Sequence, residues 1–171
     1  VLASILIAAR NIHSAIKYVE SVKDSENLKD DIELGKKAYV GFELSAKTLG
    51  VIGLGQIGVK VANAAHDLGM NVIGYDPLIT VDNAINLQPG VQNVGDLKEL
   101  LNHSNIITIH IPHLKETENF IGDKEIKRLN DQSIIINLSR EAIVDSNAIL
   151  KNLESNKIKT YVTDFPSEEM I

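Results

Sequence analysis

Short β-branched apolar runs alternate with longer amphipathic stretches along most of the chain, from residue 48 to residue 164. This alternation is typical of parallel strands joined by crossover helices. We predict six strands, at residues 48–53, 71–76, 91–94, 106–111, 133–138 and 159–164. Runs such as Ile134-Ile135-Ile136 are apolar at every position, which indicates that helices cover both faces of the sheet. The pattern therefore predicts an α/β fold with a doubly wound parallel sheet.

Capping residues mark the ends of the predicted helices. The helix after the first strand should end at Gly69, and its predicted buried face consists of Ile57, Val61, Ala64, Ala65 and Leu68. Asp96, followed three residues later by Glu99, resembles a capping box ahead of residues 97–102. Asp123 and Asp145 are predicted to cap two further helices.

The first part of the chain has a different pattern. Residues 1–20 carry apolar positions at helical spacing, and the polar residues 23–33 are predicted to form a linker or solvated loop. Residues 1–9 are apolar but too few to cross a bilayer, so we interpret them as a buried helix. Because neither end shows a start or tail pattern, we expect the chain to be part of a longer protein. Residues 1–35 are predicted as a hinge helix and linker, and residues 36–171 as the main domain.

Composition narrows the class of protein. A chain of 171 residues is the size of one domain, and 17 basic against 23 acidic residues give a net charge of −6. No basic run is dense enough to follow a phosphate backbone, so we expect no nucleic-acid partner and no membrane partner. The absence of cysteine excludes disulfides, a thiolate nucleophile and a Cys-based zinc site. It fits a reducing compartment, so a cytoplasmic location is expected.

A glycine-rich loop, Gly53-Leu54-Gly55-Gln56-Ile57-Gly58, joins the first predicted strand directly to a helix. In this pattern Gly53 permits a tight turn, Gly55 lets a pyrophosphate approach, and Gly58 lets helix and strand pack closely. Asp76 ends the second strand eighteen residues after Gly58, where its carboxylate can accept hydrogen bonds from both ribose hydroxyls. Because that carboxylate should repel a 2′-phosphate, the pattern predicts a Rossmann domain that prefers NAD to NADP.

Two other interpretations of this loop stay open. The glycines could serve only a tight strand-to-helix connection, with Asp76 and the following Pro77 beginning a turn. An S-adenosylmethionine site is the nearest competitor among ligands, although its loop does not usually require the third glycine.

Several segments together resemble the D-isomer-specific 2-hydroxyacid dehydrogenases, over nearly the whole chain. Residues 43–58 resemble the opening of that family's cofactor domain, and residues 9–12 resemble the end of its hinge helix. His110-Ile111-Pro112-His113 with Thr117 resembles the loop beside the nicotinamide. Residues 136–140 and 143–145 resemble the segment that supplies a catalytic arginine.

The resemblance implies hydride transfer between NAD and a 2-hydroxy or 2-oxo acid. Arg140 would pair with the substrate carboxylate and polarise the carbonyl, and Glu168 would orient a catalytic histidine. That histidine lies downstream of the glutamate in the family, whereas this chain has only His13, His66, His103, His110 and His113. We therefore expect the chain to be the cofactor domain of a two-domain enzyme, inactive by itself. The residues expected to bind NAD are Gly53, Gly55, Gln56, Ile57, Gly58, Asp76, His110, Pro112, Thr117, Ser139 and Asp164.

The resemblance leaves the substrate open. The segment Asp164-Phe165-Pro166 is most similar to family members of serine biosynthesis that act on 3-phosphoglycerate, while glyoxylate, hydroxypyruvate, lactate and formate remain alternatives. Glu141 stands where the family usually has glycine after the arginine. A non-catalytic NAD-sensing module is the alternative from another functional class. No metal is expected, because His110 and His113 lack a carboxylate at ligand spacing. The apolar first helix predicts a homodimer.

Overall fold

A computed structural model describes residues 1–171, and its centre is one six-stranded parallel sheet. The strands are β1 Thr48–Ile52, β2 Asn71–Tyr75, β3 Gln92–Asn93, β4 Ile106–Ile109, β5 Ser133–Asn137 and β6 Ile158–Thr163. Their order in the sheet is β3-β2-β1-β4-β5-β6, the order of the doubly wound dinucleotide-binding fold. All six predicted strands and the predicted α/β class are confirmed.

Eight α-helices accompany the sheet. They are α1 Leu2–Ala9, α2 Ile12–Val22, α3 Leu28–Gly35, α4 Gln56–Asp67, α5 Val81–Ile85, α6 Leu97–His103, α7 Asp123–Ile126 and α8 Ser146–Glu154. Two clusters of buried apolar residues are divided by the sheet, one packed around α1 and α4 and the other around α6, α7 and α8. The strands β4 and β5 are buried along their full length, which explains why their sequences lack polar alternation. None of the helices is long and apolar enough to cross a membrane.

The first 35 residues are more helical than the sequence predicts. The stretch 1–20 forms two helices, because Asn11 adopts a left-handed backbone with φ of 52° between α1 and α2. The segment 23–33, predicted as a linker, instead contains most of α3, so that prediction is wrong. Tyr18 explains the difference, since its hydroxyl donates to the Asp31 carbonyl at 2.6 Å and holds α3 against α2. Leu28 and Ile32, four residues apart, are the only apolar residues of the segment 23–33, so the sequence signal for α3 is weak.

The buried face of α4 is rotated from the predicted one. Ile57 is 66% exposed and Leu68 is 43% exposed, while Val59 and Ala62 are buried together with the correctly predicted Val61 and Ala65. Ala64 is only partly buried. The physical reason is the close approach of α4 to β1 near its start. Gly69 ends the helix with φ of +81°, as predicted.

Of the three aspartates predicted to cap the start of a helix, two do so in the structure. Asp145 accepts hydrogen bonds from the Asn147 and Ala148 N–H groups, and Asp96 accepts one from the Lys98 N–H without a return bond from Glu99. Asp123 caps nothing, because it is the first residue inside α7. The Lys127 ammonium, with Asn152 and Lys151, holds the pKa of the Asp123 carboxyl down at about 2. Its function is therefore to tie α7 to α8.

Candidate functional site

A cavity of about 350 Å³ lies at the carboxyl ends of β1, β2 and β4. The chain runs from β1 to β2 and β3 on one side of β1 and then crosses to β4, which lies on the other side of β1. Ligands of open α/β sheets bind at this switch point. The residues that line the cavity are Ile52, Gly53, Gly55, Tyr75, Asp76, Pro77, Leu78, Asn83, His110, Ile111, Pro112, Leu114, Thr117 and Phe120.

The three glycines of the loop meet three different spatial demands. Gly53 has φ of +93°, a backbone that side chains rarely adopt, and its N–H donates to the Tyr75 carbonyl at 2.9 Å. Nothing lies within 4 Å of the position a Gly55 side chain would occupy, so this glycine faces open space in the cavity wall. At Gly58 an added Cβ would stand 1.9 Å from the Gly53 carbonyl oxygen. Helix packing therefore requires Gly58, whereas the missing side chain of Gly55 leaves room for a ligand to approach the loop.

The helix α4 begins without a capping side chain. Gly55 is its N-cap residue and offers no acceptor, in contrast to Asp145 at α8 and Asp96 at α6. The first N–H groups of a helix lack partners within the helix, and together with the helix dipole they attract an anion. The loop and the start of α4 can therefore hold a phosphate group by its backbone alone.

Asp76 follows β2 and contacts both sides of the cavity through its carboxylate. One oxygen accepts a hydrogen bond from the Leu54 N–H at 2.9 Å, and the other accepts one from the Leu78 N–H at 2.9 Å. The bond from the Leu78 N–H closes a turn at Asp76 and Pro77, as the purely structural interpretation of the sequence predicts. The first bond fixes the middle of the glycine loop. Each carboxylate oxygen has a further lone pair, so both ribose hydroxyls can still donate to it.

The loop after β4 forms the opposite wall. The His110 N–H donates to the Ile52 carbonyl at 2.7 Å, and its Nε2 lies 3.0 Å from the Thr108 hydroxyl. Burial, with a smaller contribution from the positive amino terminus, lowers the pKa of His110 to about 4, so its ring is neutral at pH 7. Thr117 accepts from the Leu114 N–H at 2.7 Å and donates to the Pro112 carbonyl at 2.8 Å. These bonds shape the loop.

The remaining predicted site residues lie outside the cavity wall. Gln56 and Ile57 begin α4, and Gln56 lines a neighbouring polar pocket. Ser139 and Arg140 follow β5, whereas Asp164 and Glu168 follow β6, the adjacent strand. Arg140 and Glu168 are both exposed, and no ion pair joins them. The structure thus places these residues along one edge of the sheet without bringing them into direct contact.

Sequence reasoning missed eight residues of the cavity wall, namely Tyr75, Pro77, Leu78, Ile52, Asn83, Ile111, Leu114 and Phe120. The first three lie within two residues of Asp76, so their position next to a predicted ligand residue could have identified them from the sequence. Asn83 belongs to the short helix α5, and Phe120 comes from a loop. Neither position carries a motif, because only the folding of distant segments brings them to the cavity.

Residues 2–171, all but the first residue of the chain, match the family model described as D-isomer specific 2-hydroxyacid dehydrogenase, NAD binding domain. The chain belongs to this family. Among its relatives, the D-3-phosphoglycerate dehydrogenase of Methanocaldococcus jannaschii is 38% identical over 96% of the chain, which spans 29% of that protein. The glyoxylate reductase of Thermococcus litoralis is 36% identical over 98% of the chain, which spans 49% of it.

Solved structures agree with the family. The D-lactate dehydrogenase of Aquifex aeolicus, in complex with NAD and lactic acid, superimposes with a TM-score of 0.80 at 28% identity, covering 98% of this chain and 46% of that one. The D-lactate dehydrogenase of Lactobacillus jensenii, with NAD⁺, gives 0.79 at 27% identity, over 98% of this chain and 47% of the other. The chain is therefore an NAD-binding domain, and it spans less than half the length of these relatives. The open approach at Gly55 and the available lone pairs of Asp76 fit a dinucleotide.

Proposed function

We propose that this chain is the cofactor domain of a larger, cytoplasmic dehydrogenase that oxidises a D-2-hydroxy acid, with 3-phosphoglycerate of serine biosynthesis as its substrate. The observation that carries the proposal is the cavity in which the glycine loop and Asp76 meet at the switch point. The identity to D-3-phosphoglycerate dehydrogenases supports the choice of substrate. NAD, when bound, supplies the hydride acceptor or donor.

Two charged residues are assigned to the substrate in this proposal. Asn137 pairs with Thr163 in the register of β5 and β6, so the segments after the two strands leave the same edge side by side. Arg140 comes from the first segment and Glu168 from the second. The Arg140 guanidinium would hold the substrate carboxylate with two parallel hydrogen bonds. Glu168 would orient an acid/base histidine and raise its pKa.

The cofactor preference is tested by calorimetric titration with NADH and NADPH. The unaltered chain should bind NADH and discriminate against NADPH, because Asp76 accepts from the ribose hydroxyls and repels a 2′-phosphate. Asp76→Ala should weaken NADH binding by about 10- to 100-fold, equivalent to the loss of hydrogen bonds to a charged group worth ~1.5–3 kcal/mol. The same substitution should remove the discrimination between the two nucleotides.

Asp24→Ala is the matched control, because Asp24 is an exposed carboxylate in the turn between α2 and α3 and makes no side-chain hydrogen bond. It removes the same charge and should leave both affinities unchanged. Equal binding of NADH and NADPH by the unaltered chain would contradict the assignment of Asp76. Failure of both nucleotides to bind would contradict the cofactor site.

Turnover separates a dehydrogenase from an NAD-sensing module. The complete enzyme should oxidise NADH with 3-phosphohydroxypyruvate, glyoxylate or pyruvate, and preference for the first would support the proposed substrate. The 171 residues alone should oxidise no NADH, because none of the five histidines follows Glu168. A complete protein that binds NADH and reduces none of the three acids would favour the sensing alternative.

We also propose that two copies of the chain associate, through the apolar face of α2 and not through the first helix, because Ile5, Ala8 and Ala9 of α1 are already buried within the chain. Ile12, Ile16 and Val19 recur at helical spacing on one side of this helix, and Ile16 is 52% exposed. They line an open groove together with Arg10, Ala15 and Glu20. A contiguous apolar surface of this kind favours a protein partner.

Light scattering tests this association. Ile16→Glu should convert a dimer into a monomer, whereas Ile85→Glu should not, although Ile85 on α5 is 75% exposed. A monomeric mass for the unaltered protein would contradict the dimer.

A further inference from the structure

Asn137 is a polar residue at the end of a fully buried strand. All five residues of β5 are buried, and Asn137 is 0% exposed. A buried amide is costly unless its hydrogen-bonding groups find partners, so its partners indicate why it is tolerated there.

The side chain of Asn137 closes the loop that carries Arg140. Its Oδ1 accepts hydrogen bonds from the Ser139 hydroxyl at 2.9 Å and the Ser139 N–H at 3.2 Å. Its Nδ2 donates to the Arg140 carbonyl at 2.9 Å and reaches the Tyr161 hydroxyl at 3.5 Å. One amide thus binds the peptide groups on both sides of the link between Ser139 and Arg140.

Most of the hydrogen-bonding capacity of the amide is used within the loop. A primary amide offers two acceptor lone pairs and two donor hydrogens, of which both acceptors and one donor have short bonds, and the second donor faces the Tyr161 hydroxyl at 3.5 Å. Because Asn137 is also 0% exposed, it does not reach a substrate or cofactor itself. Its contribution to the site must pass through the residues that it holds.

Arg140 is the exposed residue that this network orients. Its backbone is extended, and its guanidinium Nη1 donates to the Ser139 carbonyl at 2.7 Å. That carbonyl belongs to the peptide group lying between the two fixed by Asn137. The remaining guanidinium donors stay available at the edge of the sheet, in a direction set by the loop. Nothing else buried within the chain donates a side-chain hydrogen bond to the Arg140 backbone.

We propose that Asn137 is a positioning residue that holds the Arg140 guanidinium in the orientation needed to bind the substrate carboxylate. The inference rests on the proposed function, because it gives Arg140 the role assigned there. Asparagine is required over aspartate, since a carboxylate would lose both donors and set an oxygen against the Arg140 carbonyl. A misplacement of about 1 Å in a positioning group can lower the rate on the order of 100-fold.

The test compares Asn137→Asp and Asn137→Leu in the complete enzyme, with the best of the three oxo acids named above. Both replacements keep the four side-chain heavy atoms of asparagine and its branch at Cγ, and they differ in the charge that they introduce. We expect kcat/KM to fall by 10- to 100-fold in both, with an increased KM and an unchanged Kd for NADH. Asn152→Leu is the matched control, because Asn152 is also a buried, hydrogen-bonded amide but lies on α8. It should lower the melting temperature and leave KM and kcat unchanged.

A double-mutant cycle with Arg140→Ala distinguishes positioning from general stability. If Asn137 acts through Arg140, adding Asn137→Leu to Arg140→Ala should cause no further loss of kcat/KM. Losses that add in the double variant would overturn the inference, as would wild-type kinetics in both Asn137 variants that remain folded. If Arg140→Ala itself leaves kcat/KM unchanged, the role of Arg140 in the proposed function is wrong instead.

Discussion

Gly55 and Gly58 belong to one motif, yet the structure predicts opposite consequences for the same substitution at each. An alanine Cβ at position 58 would stand 1.9 Å from the Gly53 carbonyl oxygen and 3.5 Å from a Val51 methyl group, so α4 must move away from β1. Overpacking of this kind costs about 1–3 kcal/mol. For a domain of this size, each kcal/mol lowers the melting temperature by about 2–4 °C, which gives an expected fall of roughly 2–12 °C.

Gly55→Ala should have the opposite profile. Its φ of −71° is accessible to alanine, and nothing lies within 4 Å of the new methyl group. Loss of a glycine N-cap costs less than about 1 kcal/mol, so the melting temperature should change by no more than ~4 °C. NADH affinity should nevertheless fall at least about tenfold, because the methyl group occupies the approach of the pyrophosphate.

Thermal unfolding and NADH calorimetry on the two variants test this reasoning together. The expected result is a stable Gly55→Ala protein that binds NADH poorly, beside a Gly58→Ala protein whose main defect is its melting temperature. If Gly55→Ala binds NADH as tightly as the unaltered chain, the open space at that position has no part in cofactor binding. If Gly58→Ala has the melting temperature of the unaltered chain, α4 and β1 do not pack closely enough at this position to require glycine.

Three further outcomes concern charge and pH. The pKa of His110 is about 4 in the folded protein and 6.5 in the unfolded chain, so the unfolded chain binds the proton more readily as pH falls. The free energy of unfolding should therefore drop by roughly 3 kcal/mol between pH 6.5 and 4. Chemical denaturation of His110→Gln across this range should show a flatter curve, and an equal slope in both proteins would refute the shift. The Asp123 pKa is also lowered, but in an acid this means that the folded protein favours the charged carboxylate. The stability that Asp123 contributes is therefore present above about pH 4 and is lost as pH falls toward 2, a loss that should be smaller in Asp123→Asn. Lys127→Met should reproduce that smaller loss, because Lys127 is the principal cause of the Asp123 shift; a melting curve at low pH that matches the unaltered protein would contradict this pairing.

The sheet and the glycine loop were predictable because their signals are local. The apolar runs of β4 and β5 reflect burial on both faces, and the glycine loop reflects backbone geometry within six residues. The helix α3 was not predicted, because its segment has few apolar residues and its place against α2 depends on tertiary contacts, among them the bond from the Tyr18 hydroxyl to the Asp31 carbonyl. The misassigned face of α4 has a similar origin, since helical periodicity alone does not specify which side approaches β1.

The sequence by itself determined the order of strands and helices, the turn at Gly53 and the carboxylate at Asp76, since each depends on neighbouring residues and their backbone preferences. Only the tertiary structure decided that Asp76 bonds to the Leu54 N–H, twenty-two residues away, and that Asn137 closes the loop of Arg140. Hydrogen bonds of this kind require particular distances between groups on separate segments. Those distances are set when the strands align in the sheet, and no local pattern of residues encodes them.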